Sequence, residues 1–190
     1  MKPSEELAYV IGVRLGDGCV WKKGDDKYAI NLKAKDKEFV EEFARCLAKV
    51  LGRKPIKVRY VRYKIYGMRH RKYYTAQAIS KTLYELLREP IDLNRIKKYV
   101  EHCLKCTAAF LKGLFYSEGC ISKDGYITLY NSNYELLEYA KKLLRRFGIG
   151  ATGPHEARDG YYFYKYIGFT IKRKQQRLEE YLRRRRARKS

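Results

Sequence analysis

The chain repeats one short motif, and this repetition constrains its fold more than any other feature. The first copy runs from Ala8 to Gly18 and the second from Phe110 to Gly119. Each copy is an apolar helical stretch that ends in an acid followed by glycine. Two small residues lie four positions apart in each copy: Gly12 and Gly16, and Gly113 and Ser117. Because acids and glycines keep one offset between the copies, we interpret the chain as an internal duplication.

The small residues predict that the two motif helices pack closely, since residues four apart share one face of a helix. Gly18 and Gly119 are predicted to adopt the left-handed conformation just past a helix end, with Asp17 and Glu118 on the last turn. The final carbonyl groups there lack intrahelical partners and the helix dipole is negative, so a carboxylate at this end favours a bound cation. Acids and carbonyl oxygens together form a hard-oxygen site that suits Mg²⁺ or Ca²⁺ better than Zn²⁺.

The surrounding residues repeat as well, and they predict an α+β fold of two pseudo-symmetric αββαββα halves. Each motif leads into a hairpin and then an amphipathic helix capped by Asp36 or Asn133. A second pair of extended segments and a closing helix complete each half, and Pro90 marks the seam. We predict an N-terminal half at 1–90, a linker helix at 91–105 and a C-terminal half at 106–190. The predicted strands cover 28–33, 56–66, 69–78, 126–131, 151–157 and 161–172, and the helices after the first motif cover 36–51, 79–88, 94–105, 133–147 and 174–186.

The charge balance indicates a polyanionic partner. The 190 residues include 43 Lys+Arg against 21 Asp+Glu, a net charge of +22. The chain has no sustained apolar run and no signal segment, and its bases spread through strands rather than along one amphipathic helix. We therefore predict a nucleic-acid partner, no membrane association and a cytoplasmic location. The low Gln and Asn content hints at a thermophilic archaeon.

The segment from Arg53 to Tyr84 contains no acid, and its alternating pattern predicts a sheet with one apolar and one basic face. The alternation slips near Tyr60 and Val61, which predicts a β-bulge or a strong twist. Such a ribbon suits the major groove of DNA, although a solvated basic face is the alternative. The predicted DNA-binding residues are Lys22, Asn31, Lys33, Lys57, Arg59, Arg62, Lys64, Arg69, Arg71, Tyr73, Thr75, Gln77, Lys123, Thr128, Tyr130, Arg158, Tyr162, Tyr164, Tyr166 and Lys172.

Cys103 and Cys106 have the spacing of a redox or zinc-binding pair. The chain has no second pair of this kind, and its three histidines are scattered along the sequence. A structural thiol pair on a helix is therefore favoured over a metal site.

The duplicated motifs resemble those of the LAGLIDADG homing endonucleases in their single-chain, two-motif form. The resemblance rests on Gly16-Asp17-Gly18 and Ser117-Glu118-Gly119, each followed by strands and a capped helix, and it extends from about Glu6 to Lys172. It implies packed LAGLIDADG helices, saddle-shaped antiparallel sheets that grip the major groove, and acids that face the minor groove. The residues implied in catalysis are Asp17 and Glu118 as metal ligands, the carbonyls of Gly16 and Ser117 as further ligands, and Lys33, Lys35, Lys123 and Asn131 around the attacking water. Ala34 stands where many relatives have glutamine.

The resemblance also implies a function. We expect a monomeric, freestanding, intron-encoded endonuclease that cuts both strands of a long, pseudo-asymmetric DNA site. Mg²⁺ is the expected cofactor, and Mn²⁺ or Ca²⁺ can occupy the same site. The expected products are staggered ends with a 5′ phosphate and a 3′ hydroxyl. Two alternatives stay open: a maturase that acts on intron RNA, and a DNA-binding regulator without catalysis.

Overall fold

A computed structural model describes residues 1–24, 26–63, 71–121, 127–157 and 160–164, with the backbone alone described at 63, 71, 157 and 160–164. By its internal contacts the chain divides into two units, Met1–Leu114 and Phe115–Ser190. The first unit thus extends beyond the predicted N-terminal half and includes most of the second motif helix. No described helix is long and apolar enough to cross a membrane.

The first unit alternates helices with short antiparallel strands. Its elements, in chain order, are α1 (Glu5–Leu15), β1 (Cys19–Lys23), β2 (Lys27–Ala34), α2 (Lys37–Leu51), β3 (Arg59–Tyr63), β4 (Arg71–Ile79), α3 (Lys81–Leu87), α4 (Leu93–Val100) and α5 (Leu104–Glu118), which continues past Leu114. The four strands form one sheet in the order β1-β2-β4-β3.

Local sequence explains the helix boundaries in the first unit. The hydroxyl of Ser4 accepts a hydrogen bond from the Leu7 N–H at the start of α1, and Ser80 caps α3 through the Leu83 N–H. Asp36 is the N-cap of α2, as predicted. Gly52 ends α2 in the left-handed conformation, with φ of 59°.

The core of the first unit lies between α2 and the sheet. Phe39, Phe43 and Leu47 of α2 are fully or almost fully buried, as are Ile30 and Leu32 of β2. Successive strand residues point to opposite faces, so Ile30 and Leu32 leave Asn31 and Lys33 on the other face of β2. The apolar period of α2 is therefore confirmed, and it places the polar face of the sheet away from the helix.

The second unit has the same strand order as the first. Its elements after α5 are β5 (Gly119–Ile121), β6 (Ile127–Asn131), α6 (Tyr134–Arg145), β7 (Thr152–Ala157) and β8 (Gly160–Tyr164), and its sheet has the order β5-β6-β8-β7. Asn133 caps α6 by accepting a hydrogen bond from the Leu136 N–H at 3.0 Å. The α+β class and the repeated arrangement are confirmed.

Three predicted details are wrong. The helix expected at 94–105 ends at Val100, and α5 begins at Leu104 after a short bend. Strand β3 pairs with β4 in continuous register from Arg59 to Tyr63, so the bulge, one of the two predicted irregularities, is absent. The helix expected at 133–147 ends at Arg145, and Phe147 beyond its end is 37% exposed. The expected helix at 174–186 and the strand beyond Tyr164 lie outside the described residues.

Candidate active site and nucleic-acid interface

The two motif helices contact each other through their glycines. A Cβ atom added to Gly12 of α1 would collide with the carbonyl oxygen of Phe110 and lie 3.0 Å from the backbone nitrogen of Leu114. A Cβ atom on Gly113 of α5 would lie 2.5 Å from the Tyr9 carbonyl oxygen. Only hydrogen fits at these positions, which confirms the prediction that the small residues let two helix backbones approach.

Asp17 lies just past the end of α1 and is exposed to solvent. The N–H groups of Gly16 and Gly18 both donate to the carbonyl oxygen of Val13, at 3.2 and 2.9 Å. These bonds fold the chain tightly around the helix end and leave the acid between the two glycines. Because the helix dipole is negative there, a cation would stabilise the Asp17 carboxylate.

The glycines after the acids have a different role from the one predicted. Neither Gly18 nor Gly119 has a positive φ; the described glycines that do are Gly24, Gly52, Gly148 and Gly153. A Cβ atom on Gly18 would lie 2.7 Å from the Cα of Arg14, and one on Gly119 would collide with the carbonyl oxygen of Phe115. Close approach to the preceding helical turn, rather than a left-handed backbone, therefore requires glycine at both positions.

Arg14 has a structural role that the sequence did not reveal. Its guanidinium is buried inside an otherwise apolar motif, donates to a carboxylate oxygen of Glu89 at 2.9 Å, and lies 3.5 Å from the carbonyl oxygen of Gly18. It thereby ties the segment after Asp17 to the segment between α3 and α4. A charged residue within an apolar motif was the only signal in the sequence.

The second motif contains a comparable cation. The ammonium of Lys112 lies 3.5 Å from a carboxylate oxygen of Glu42 and 5.7 Å from the centre of the Tyr9 ring. A hydrogen bond from Arg45 and the nearby charge of Lys112 hold the pKa of Glu42 below its usual value. Lys112 therefore links α5 to both α1 and α2 within the first unit.

Glu118, the last residue of α5, is held by an amide. The side-chain Nδ2 of Asn131 donates to a carboxylate oxygen of Glu118 at 3.5 Å. The Oδ1 atom of the same side chain accepts from the Asn133 N–H at 2.9 Å, in the turn that begins α6. Because this turn occupies the oxygen, the donor end of the amide faces the acid. Asn131 was predicted from the sequence as a catalytic residue, and its contact with Glu118 gives that prediction a structural basis.

The first half has no amide at the position that corresponds to Asn131. Strand pairing aligns Cys19 with Asn31 and Gln77 in the first sheet, and Cys120 with Thr128 and Tyr164 in the second. Asn31 of β2 therefore corresponds to Thr128 of β6. Three residues further along each strand, Ala34 corresponds to Asn131. The methyl group of Ala34 cannot donate a hydrogen bond, so the two halves differ at this position.

The polar face of the first sheet brings together six predicted DNA-binding residues. Asn31 pairs with Gln77, and Lys33 lies in one row with Thr75 and Arg59. The ammonium of Lys33 lies 4.8 Å from the ring centre of Tyr73, which completes the group. Among the described residues, no group donates a hydrogen bond to the buried Oδ1 atom of Asn31.

Other predicted residues do not join this face. Lys22 pairs with Tyr28 and stacks over its ring at 5.5 Å, on the side that the helices cover. Arg62 pairs with Lys72 on that same side, because the bulge that would have turned it is absent. Lys35 and Lys57 are exposed outside the strands. Arg71 belongs to β4, and the structure does not describe its side chain.

In the second sheet, Tyr130 is exposed and lies in a row with Tyr162 of β8. Thr128 shares that face but is only 3% exposed. Tyr164 pairs with Thr128, and the structure describes the β8 residues as backbone only. The predicted residues that lie outside the described residues are Lys64, Arg69, Lys123, Arg158, Tyr166 and Lys172.

Two helices pack against each other through glycines, and an acid lies at or just past the end of each. Each unit also contains a four-stranded antiparallel sheet, so the motif and the elements that follow it are duplicated. A family model described as a LAGLIDADG-like domain matches residues 4–100 and 105–184. The chain therefore belongs to the LAGLIDADG family. The uncharacterised protein MJ0398 of Methanocaldococcus jannaschii is 30% identical over 96% of this chain and 73% of its own length. A second protein of that organism, MJ0314, is 31% identical over 78% of this chain and 57% of its own length.

Solved structures of homing endonucleases share the fold. A variant of I-DmoI is 22% identical with a TM-score of 0.62, over 93% of this chain and 94% of that one. I-WcaI bound to its DNA recognition sequence is 15% identical with a TM-score of 0.65, over 92% and 88% of the two chains. The N-terminal LAGLIDADG domain of WhiA is 21% identical with a TM-score of 0.55, over 94% and 82%.

Proposed function

We propose that the protein is a site-specific endonuclease that cuts double-stranded DNA. The observation that carries the proposal is an acid at the end of each motif helix, Asp17 exposed in one unit and Glu118 held by Asn131 in the other. Structural neighbours support it, because I-DmoI has been solved with DNA and Mn or Ca and with its target DNA in the presence of Mg.

The donor set in each half fits a hard divalent cation. Asp17 with the Gly16 carbonyl, and Glu118 with the Ser117 carbonyl, offer oxygen ligands of the kind that Mg²⁺ prefers. When bound, the cation would neutralise charge that develops on the phosphodiester and provide a nucleophile at neutral pH. Asn131 orients the Glu118 carboxylate, and we expect Lys33 and Lys35 to supply positive charge for the DNA backbone in the first half.

The polar face of the first sheet is the proposed DNA-reading surface. Asn31 and Gln77 offer amides that can pair with base edges, while Lys33 and Arg59 offer charges for phosphates or guanine. We expect the corresponding face of the second sheet to contact the other half of the site.

The experiment is selection of cleaved sequences. Purified protein is incubated with a plasmid library that carries a randomised insert, with Mg²⁺ or with EDTA, and linear products are sequenced. The proposal predicts one enriched sequence, cut only with Mg²⁺, whose staggered ends ligate without treatment because they carry 5′ phosphate and 3′ hydroxyl groups. Sequence-specific binding without linear or nicked product would contradict the nuclease assignment.

A DNA-binding regulator is the second candidate, and the difference between the halves at Ala34 favours it. If the first half needs an amide at this position, its catalysis is impaired. The selection separates the two functions when a second pool, recovered by binding in EDTA, is also sequenced. A regulator enriches sequences in the bound pool and gives no linear product with Mg²⁺.

A further inference from the structure

A cluster of soft ligands lies between α4 and α5, away from the residues that the nuclease proposal uses. The side chains of His102, Cys103 and Cys106 bring one imidazole nitrogen and two sulfur atoms within 4.8 Å of one another. The two sulfur atoms are 3.3 Å apart. His102 directly precedes Cys103 in the sequence, and the bend before α5 brings its imidazole close to both thiols.

The backbone that carries these side chains is fixed by hydrogen bonds. The N–H of Cys106 donates to the sulfur of Cys103 at 3.3 Å. The buried hydroxyl of Thr107 lies 3.0 Å from the Val100 carbonyl oxygen and 3.2 Å from the Cys103 carbonyl oxygen. These contacts tie the end of α4 to the first turn of α5. The two thiols are therefore positioned by the fold rather than by a ligand, which reduces the conformational cost of binding one.

We propose that His102, Cys103 and Cys106 bind a zinc ion, independently of the acids at the motif ends. Two thiolates and an imidazole are the donors that Zn²⁺ takes in tetrahedral sites, and three protein ligands leave a fourth position for water. With Zn–S bonds of about 2.3 Å, tetrahedral geometry needs sulfur atoms about 3.8 Å apart. The observed pair reaches that spacing by a shift of about half an ångström.

The donor types also separate this site from the proposed nuclease centre. Asp17 and Glu118 offer oxygen ligands, which prefer Mg²⁺ or Ca²⁺, whereas thiolates select softer ions. A Cys103–Cys106 disulfide is the competing outcome, since the spacing allows it. That bond would consume both thiols and leave His102 without a role.

The test uses Co²⁺ as a spectroscopic probe of the full-length protein. Reduced protein is stripped with a chelator and titrated with Co²⁺ under anaerobic conditions. We expect one equivalent to bind, with a thiolate-to-cobalt absorption band in the near ultraviolet that one equivalent of Zn²⁺ abolishes and excess Mg²⁺ does not. An absent band while a thiol assay shows both cysteines still reduced would overturn the proposal.

Variants assign the ligands. Cys106→Ser should weaken Co²⁺ binding by more than about 100-fold, and the exposed His102→Ala by at least about 10-fold. Cys19→Ser, which changes an exposed thiol outside the cluster, should leave both band and affinity unchanged.

Because Cys106 is buried, circular dichroism checks that the Cys106→Ser variant folds. If it does not fold, His102→Ala keeps the test decisive. A band that survives in both ligand variants contradicts the site. Asp17→Asn should keep the cobalt band. The zinc site can therefore be confirmed or rejected whether or not the nuclease proposal is correct.

Discussion

The amide of Asn131 donates a hydrogen bond to the carboxylate of Glu118 at 3.5 Å, whereas the matching position of the first half is Ala34. The duplicated halves thus share one order of strands and differ in the residue at this strand position. Hydrogen-bond donors that orient metal-binding carboxylates contribute strongly to activity in metalloenzymes. This difference predicts unequal cleavage of the two DNA strands.

The half that contains Asp17 should cut its strand more slowly than the half that contains Glu118. Asn131→Ala should slow the faster strand by about 10- to 100-fold, and Ala34→Asn should speed the slower one. Strand-specific end labels on the selected DNA site measure both rates, and a nicked intermediate should accumulate with the unaltered protein. Equal rates for both strands in all three proteins would show that the amide is not needed.

Close packing at Gly12 makes the helix contact sensitive to a single methyl group. Gly12→Ala should reduce the free energy of unfolding by about 1–3 kcal/mol, because the new Cβ meets the Phe110 carbonyl. Urea denaturation measures the change. Gly150→Ala is the matched control, since a Cβ there meets nothing within 4 Å, and it should change stability by less than about 0.5 kcal/mol. Equal effects at both positions would contradict the close helix contact.

Arg14 should stabilise the segment that follows Asp17. Arg14→Ala removes hydrogen bonds to Glu89 and Gly18 and should cost about 1–3 kcal/mol of unfolding free energy. Arg88→Ala breaks an exposed ion pair with Glu85 and should cost less than about 1 kcal/mol. Thermal and urea unfolding compare the two variants. A cost for Arg14→Ala no larger than that for Arg88→Ala would mean that the buried guanidinium does not stabilise the fold.

The polar face of the first sheet should account for much of the salt dependence of DNA binding. Lys33→Ala and Arg59→Ala should each weaken binding and reduce the slope of log K against log salt by about 0.9 for each phosphate that the variant no longer neutralises. Fluorescence anisotropy on the selected site, at several salt concentrations, measures both quantities.

Lys81→Ala is the control for this experiment, because Lys81 lies over the Tyr28 ring on the opposite side of the sheet. It should change neither affinity nor slope. For Lys22→Ala, the sequence predicts weaker DNA binding, whereas the pairing of Lys22 with Tyr28 predicts no change in binding. If Lys81→Ala weakened DNA binding as much as Lys33→Ala, the effect would come from overall charge and not from a defined face of the sheet.

Features that depend on local spacing were predictable from the sequence. The stripe of Gly12 and Gly113, the capping of α6 by Asn133 and the buried face of α2 follow from helical period and cap chemistry. The order of elements in each half followed from the repeat. The predicted family is confirmed, since the family model matches both copies of the motif together with the elements that follow each copy.

Features that depend on tertiary contacts were not predictable. The need for glycine at Gly18 comes from the nearby Arg14 backbone, and the role of Arg14 comes from the distant Glu89. His102 precedes Cys103 in the sequence, but only the structure shows that the bend after Val100 brings its imidazole within 4.8 Å of both sulfur atoms. The sequence shows which residues are near in the chain, and it does not show these contact distances or the distant partner Glu89.

Cleavage by the double variant Asp17→Asn, Glu118→Gln tests the central claim most directly. Both substitutions keep the size of the side chain and remove the charge that would hold a divalent cation. On the selected DNA site with Mg²⁺, we predict cutting at least ~10³-fold slower than with the unaltered protein, with DNA affinity nearly unchanged. Cutting at the full rate by the double variant would contradict the assignment of these two acids as the metal-binding centre.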